Sequence, residues 1–129
     1  MTENDIAKLT VDAAYQVHKR LGPGLLESVY EVVLAYELEK RSLRVQRQVP
    51  VPIDYDGIRF DVGFRADLLI EGLVIVELKS VVDEHPVYRK QLLTYIKLAD
   101  KRLGLLINFG KRRIKGGITR LVNRLPETA

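Results

Sequence analysis

The chain opens with two stretches in which apolar residues recur at helical spacing. In the first, Ile6, Leu9, Ala13 and Val17 fall on one side of a helix. In the second, apolar residues cover a broader surface. Because glycine and proline interrupt helices, Gly22-Pro23-Gly24 separates the two. The pattern predicts one helix from Ile6 to Arg20 and another from about Leu25 to Arg41.

After Leu43 the apolar period changes to two, which is typical of strands with one buried face. Asp56-Gly57 is a strong signal for a hairpin turn, and Glu71-Gly72 indicates a second turn. Since Pro50 and Pro52 lack N–H groups that would point to the same side, the first strand is expected at a sheet edge. Gly63 is expected to form a bulge or bend. The predicted strands are Val45–Ile53, Ile58–Ile70 and Leu73–Leu78.

The remaining chain predicts one more helix and one more buried strand. Pro86 suits the first turn of a helix that runs to about Asp100, and Leu103–Phe109 is an apolar run. Ile114–Val122 fits either a short strand or a helix. This order predicts an α/β or α+β domain with a mixed sheet. At 129 residues, without a repeat or linker, we expect a single domain, residues 1–129, with its core at about 6–123.

Two carboxylates and one amine fall near the second predicted turn. Glu77 and Lys79 are two positions apart in a strand, so their side chains face the same way. A two-residue loop would put Asp67 on the opposite face from Glu77. We expect instead a three-residue loop, Ile70–Gly72, with the glycine in the left-handed conformation. Asp67 then lies opposite Ile75, with Glu77 one diagonal step away on the same face.

These residues suit the hydrolysis of phosphate esters. Two buried carboxylates without a partner are costly, and a divalent cation would offset that cost. Mg²⁺, or Mn²⁺ in its place, binds a few carboxylate oxygens, polarises a phosphate and lowers the pKa of a bound water. Lys79 could orient or deprotonate that water, or neutralise charge on the phosphate. The simpler alternative is an exposed Glu77–Lys79 pair at a strand end.

Composition and charge narrow the setting. The sequence is 47% apolar and 29% charged, as in ordinary globular domains, and it contains no cysteine for a thiolate metal site. No run approaches the ~20 apolar residues of a membrane span. We therefore expect a cytoplasmic protein with no membrane partner.

Basic residues are clustered rather than spread evenly. The net charge is +4, with one basic group at Lys40–Arg47 and another beyond Lys101. Such clusters attract the phosphate backbone of nucleic acids. Lys111, Arg112 and Arg113 are the candidate contacts with a substrate, and a flexible basic loop is the alternative.

Two motifs carry a resemblance to a known family. Asp67, followed ten positions later by Glu77-x-Lys79, resembles the active-site signature of the PD-(D/E)XK nuclease superfamily, although Ala66 stands where that signature has proline. Gly24-x-x-Glu27-x-x-Tyr30 resembles the motif that names the GxxExxY family, a branch of the same superfamily. The likeness extends from about Ile6 to Asn123.

The resemblance implies a restriction-endonuclease-like core, with a mixed four-stranded sheet flanked by helices. It also implies that Glu27 faces the hairpin and completes the metal site with Asp67 and Glu77, through a metal-bound water or as a ligand. The alternative is that Glu27 stabilises the positive end of its helix. Gln91 and Tyr95 are four apart on the third helix and share one face. By resemblance, Gln91 would hold Lys79 or the phosphate, and Tyr95 would contact the substrate or pack in the core.

The expected function is magnesium-dependent hydrolysis of phosphodiester bonds in a nucleic acid. DNA is the first expectation, although the sequence does not separate DNA from RNA. The alternative is a catalytically silent module that binds nucleic acid or protein. A small domain offers little surface for recognising a substrate alone, which favours a homodimer.

Overall fold

The computed structural model describes residues 1–128. The capping box between Thr2 and Asp5 explains why the first helix begins three residues before the predicted Ile6. The elements are α1 (Glu3–Leu21), α2 (Glu27–Lys40), β1 (Val45–Tyr55), β2 (Ile58–Ile70), β3 (Val74–Lys79), α3 (Val87–Leu98), β4 (Leu103–Asn108), a 3₁₀ helix (Ile114–Gly117) and β5 (Ile118–Val122).

The strands form one mixed sheet in the order β1-β2-β3-β4-β5. β3 and β4 run parallel, and the other neighbours are antiparallel. The predicted mixed sheet is confirmed, but the count of four strands is wrong. The segment that fitted either a helix or a strand is β5, which pairs with β4 from Ile107↔Ile118 to Leu103↔Val122. Its alternating residues bury Ile118 on one face of the sheet and Leu121 on the other.

The β1–β2 hairpin confirms its sequence signals. β1 lies at the edge of the sheet, as the two prolines predict. Asp56 and Gly57 form the turn, both with positive φ. The register shifts between Val51 and Ile53, opposite the stretch of β2 that contains Gly63. A Cβ at Gly63 would lie 2.1 Å from the Ile53 side chain, so this position requires glycine.

Helices cover both faces of the sheet. α1 and α2 pack on one face, where Val74, Val76 and Leu78 of β3 join the larger core. α3 packs on the other face, against Ile75 and Leu106. Gly104 allows this close approach, because a Cβ there would lie 2.9 Å from Ile96. β3 and β4 are therefore buried on both sides, so their side chains can reach solvent only near the strand ends.

No helix within residues 1–128 is long and apolar enough to cross a membrane. The cytoplasmic location and the single-domain boundaries stay predictions.

Candidate active site

Asp67 and Glu77, which we call the acidic pair, lie where β2 and β3 separate. Their pairing runs from Ile70↔Val74 to Leu68↔Val76 and then ends. The loop is therefore Glu71–Leu73, one residue later than expected, with φ values of 54° at Glu71 and 65° at Gly72. The prediction of an odd loop that puts Asp67 and Glu77 on one face is confirmed. The predicted partner of Asp67, Ile75, is wrong, because the shifted loop aligns Asp67 with Glu77.

The Asp67 side chain bonds a backbone N–H of β3 beyond the point where the pairing of β2 and β3 ends. Its Oδ2 accepts the backbone N–H of Leu78 at 2.8 Å. Its Oδ1 accepts a longer hydrogen bond, 3.3 Å, from the side-chain amide of Gln48 on β1. The carboxylate is thus held at the fork between the two strands by contacts from both neighbours.

Glu77 is a buried acid without a full set of partners. Only 9% of the residue is exposed, and its Oε1 has no hydrogen-bond partner within the described chain. Burial raises the pKa of Glu77 to about 9, with a further increase from the charge of Asp67. The only other such buried oxygen among residues 1–128 is Oε1 of Glu84, on the loop after β3. Without a cation, Glu77 is therefore protonated at neutral pH.

Lys79 follows on the same face of β3. Its positive charge lowers the pKa of Glu77, although less than burial and Asp67 raise it. The Lys79 Nζ lies 4.5 Å from the centre of the Tyr88 ring, at the start of α3. Two carboxylates and a positioned amine therefore meet at the end of β3.

Comparisons with known proteins agree with this geometry. Residues 4–121 match the family model described as the PD-(D/E)XK nuclease superfamily. The chain belongs to the PD-(D/E)XK nuclease superfamily. Membership of its GxxExxY branch stays a prediction, and a search of curated proteins finds no match.

A solved structure supports the same fold. The crystal structure of SSO0001 has a TM-score of 0.56 and 19% sequence identity, over 79% of this chain and 52% of that chain. At this identity the likeness shows the fold alone. This PD-(D/E)XK chain spans about half the length of that protein.

α2 forms the opposite wall of a cleft of about 340 Å³ that also contains Asp67. Glu27, the first residue of α2, is exposed and lines this cleft. Within residues 1–128, no three His, Cys, Asp or Glu side chains are close enough together to hold a metal ion. The structure thus places Glu27 in the same cleft as Asp67, and its role as a ligand stays a prediction.

The sequence analysis missed the buried acid of this wall. Glu31 lies one turn after Glu27 and is 6% exposed. It accepts hydrogen bonds from the Arg47 guanidinium at 3.0 and 3.1 Å, and another from Gln48. Gln48 therefore links Glu31 to Asp67, and its own φ of 51° is unusual for a residue other than glycine. The i, i+4 spacing from Glu27 was the available signal for Glu31; no local pattern marks Gln48.

Tyr30, the last residue of the Gly24-x-x-Glu27-x-x-Tyr30 motif, has a structural role. It is fully buried and stacks on Phe109, with ring centres 4.4 Å apart. Its hydroxyl donates to the Gly22 carbonyl and accepts from the Leu25 N–H. Tyr30 thereby holds the turn that leads into Glu27.

The two predicted residues of α3 differ in their surroundings. Tyr95 is half-buried and stacks on Phe64, with ring centres 4.1 Å apart. Burial raises the pKa of Tyr95, and the nearby charges of Glu77 and Asp67 raise it further. Gln91 is exposed and, within residues 1–128, forms no hydrogen bond with Lys79. Their substrate and catalytic roles stay predictions.

The donor atoms fit a hard divalent cation. The unpartnered Glu77 Oε1 and the Asp67 carboxylate are oxygen donors, which Mg²⁺ and Mn²⁺ prefer. A cation would also compensate the negative charge that burial disfavours. The residues present therefore suit the metal ions that this superfamily generally uses.

The basic residues predicted to contact the substrate lie outside the cleft lined by Glu27, Glu31 and Asp67, which we call the acidic cleft. Lys111, Arg112 and Arg113 follow β4, and the Lys111 carbonyl is 2.8 Å from Nε2 of His18 on α1. The members of the other basic group each form an ion pair: Lys40 and Arg41 share Glu37, Arg44 pairs with Glu71, and Arg47 with Glu31.

Proposed function

We propose that this PD-(D/E)XK chain is a nuclease that hydrolyses phosphodiester bonds of nucleic acid, DNA being the first expectation, with Mg²⁺ or Mn²⁺. The observation that carries the proposal is Glu77 Oε1, which is buried beside Asp67 and Lys79 with no hydrogen-bond partner among residues 1–128. A carboxylate buried in this way destabilises the free protein, which is understandable where the site serves a ligand.

Asp67 and Glu77 would hold the ion, with Glu27 and the Leu78 carbonyl as further ligands. The bound metal would polarise the scissile phosphate and lower the pKa of a water. Lys79 would orient or deprotonate the attacking water, or neutralise charge that develops on the phosphate. Its contact with the Tyr88 ring limits the positions of the amine.

Residues around this centre would hold the substrate. Tyr95 lies beside the acidic pair and offers its hydroxyl to the nucleic acid. Gln91, one turn earlier on α3, would support Lys79 or the phosphate after substrate binds. Lys111, Arg112 and Arg113 would contact the backbone beyond the cleft.

The first test is Mg²⁺ and Mn²⁺ binding by calorimetry. We expect the wild type to bind and the Asp67→Ala/Glu77→Ala variant not to bind. Gln46→Ala is a matched control, because Gln46 is an exposed residue of β1 outside this cleft. Absence of binding by the wild type, even with a phosphate oligonucleotide, would reject the metal site and favour a catalytically silent module.

We propose in addition that the chain forms a homodimer through the outward face of α2. Val29, Val32 and Tyr36 on this face are 38%, 49% and 61% exposed, whereas Glu31 and Glu37 point inward. Glu39 is exposed near the C-terminal end of α2, away from Val29 and Val32. Analytical sedimentation should show that the wild type is a dimer. The Val32→Glu variant should be monomeric, and the Glu39→Gln variant should remain a dimer. A monomeric wild type would reject the homodimer.

A further inference from the structure

A second concave site lies between the C-terminal half of α1 and the segment Arg112–Lys115. The cavity has a volume of about 490 Å³. Its wall includes four basic side chains, one acid and one aromatic ring: Lys19, Arg112, Arg113, Lys115, Asp12 and Tyr15. It is separate from the acidic cleft, with which it shares no lining residue.

In the described part of the chain, the cations of this cavity have no carboxylate partner. Within residues 1–128, Lys19, Arg112, Arg113 and Lys115 form no salt bridge, in contrast to the group from Lys40 to Arg47. Among the described residues that line the wall, Asp12 is the only acid. Cations gathered in a concave surface concentrate positive potential, and an anion would relieve their mutual repulsion.

The basic segment is anchored to the fold. Ile114 is 4% exposed and belongs to the core on the α1 side. The Lys111 carbonyl is bound to His18. At Gly117 a Cβ would lie 2.4 Å from the Asn108 carbonyl, so the segment ends in tight contact with β4. The cations are therefore presented by a positioned segment.

The cavity lies close to the catalytic end of the sheet. The Phe109 N–H donates to the Lys79 carbonyl at 2.8 Å. Arg112 comes three residues after Phe109, so the Cα atoms of Phe109 and Arg112 are at most roughly 11 Å apart. A nucleic-acid strand in the acidic cleft could reach both places within a few nucleotides.

We infer that this cavity binds backbone phosphates of the nucleic acid on one side of the cleaved bond. The inference rests on the proposed function for the position of the cleft, but the cavity's affinity for phosphate does not need a metal. Tyr15 is 42% exposed and offers a ring on which a neighbouring base can stack. The cavity thus holds the strand and does no chemistry.

The test measures binding without cleavage. Lys79→Ala protein in EDTA is titrated with a fluorescent single-stranded oligonucleotide at several salt concentrations. The cavity variant carries Arg112→Gln, Arg113→Gln and Lys115→Gln in addition. The control carries Lys8→Gln, Lys97→Gln and Lys101→Gln, which remove the same charge from other surfaces.

We expect the cavity variant to bind at least about tenfold more weakly, with a salt slope smaller by about two, since removing each phosphate interaction lowers the slope by about 0.7. The control should change less than about threefold. Equal weakening in both variants would overturn the inference, because general charge would then explain binding. Failure of metal binding would reject the nuclease proposal and leave this result standing.

A second arm distinguishes a nucleic-acid backbone from a small phosphate. Inorganic phosphate is titrated into the parent and the cavity variant by calorimetry. Weak phosphate binding together with the expected oligonucleotide result supports the inference. Tight phosphate binding that depends on the three cations, with unchanged oligonucleotide affinity, would overturn it and indicate a site for a small anion.

Discussion

The buried acids of this protein fall into two groups. Glu3, Glu31 and Glu37 are 4–6% exposed, and each one pairs with basic side chains. Glu77 is buried to a similar degree, but its nearest carboxylate is Asp67, and one of its oxygens has no partner within the described residues. Basic side chains thus compensate the three acids of the first group, whereas Glu77 lies beside a second carboxylate.

The pKa directions express the same contrast. The bond from Arg102 holds the pKa of Glu3 below its usual value, whereas burial raises the pKa of Glu77 to about 9. The first acid stabilises the folded state in its charged form, and the second does so only when it is protonated or bound to a cation. The exposed fractions of Glu3 and Glu77 alone would not distinguish these two acids.

The largest expected effect is on catalysis. Lys79→Ala should reduce metal-dependent cleavage at least about a hundredfold, because it removes the amine at the acidic pair. Thermal unfolding should change little, since the Lys79 amine lies over the ring of the half-buried Tyr88 rather than in the core. Lys90→Ala, an exposed substitution on α3, is the control. Unchanged cleavage by the Lys79 variant would remove the catalytic assignment.

The pH dependence of stability should differ between the two groups. The folded protein retains the Glu77 proton that the unfolded chain loses above about 4.5, so metal-free stability should fall as pH rises from about 5 to 9. The slope from this group is at most about 1.4 kcal/mol per pH unit. Because Glu3 has a lowered pKa, its contribution is instead lost as pH falls below about 4.5.

Urea unfolding in EDTA would measure this slope, with Glu77→Gln as the comparison. The variant should lose the decrease between pH 5 and 9. Mg²⁺ should reduce the decrease in the wild type, because metal binding replaces the proton. Identical slopes for both proteins would show that Glu77 titrates normally.

Replacing one acid of each group by glutamine should change stability in opposite directions. Glu3→Gln should lower Tm by a few degrees at pH 8, because it weakens the 2.8 and 3.0 Å bonds from Arg102. Glu77→Gln should raise Tm at pH 8 in the absence of metal, since the wild type must take up a proton at Glu77 on folding and glutamine needs none. Calorimetry on both variants decides; a lower Tm for Glu77→Gln would contradict the contrast.

The smallest expected effect concerns Gln48, which links the two groups. Gln48→Ala should weaken Mg²⁺ binding and cleavage about tenfold, because Asp67 loses the hydrogen bond from the Gln48 amide. Glu31 keeps Arg47, so stability should change little. Gln46→Ala, two residues earlier and exposed, is the matched control. Equal activity of the two variants would show that Gln48 does not position Asp67.

The sequence by itself determined the features that depend on neighbouring residues. Periodicity located the helices and most strands, and Asp56-Gly57 marked its turn, because these signals arise from local backbone preferences. The shared face of Asp67, Glu77 and Lys79 followed from the alternation of strands and the parity of one short loop. An error of one residue in that loop changed the pairing and preserved the face.

The tertiary structure decided what depends on residues far apart in the chain. It added the fifth strand, because Ile118–Val122 is stabilised as a strand only by pairing with β4. It also showed that Glu31, through Gln48, connects to Asp67, and that one basic group is ion-paired while members of the other line a cavity. Charge and spacing are visible in a sequence, but the identity of a side chain's partner is set by packing between distant segments. The same residue types therefore form structural ion pairs in one place and a candidate binding site in another.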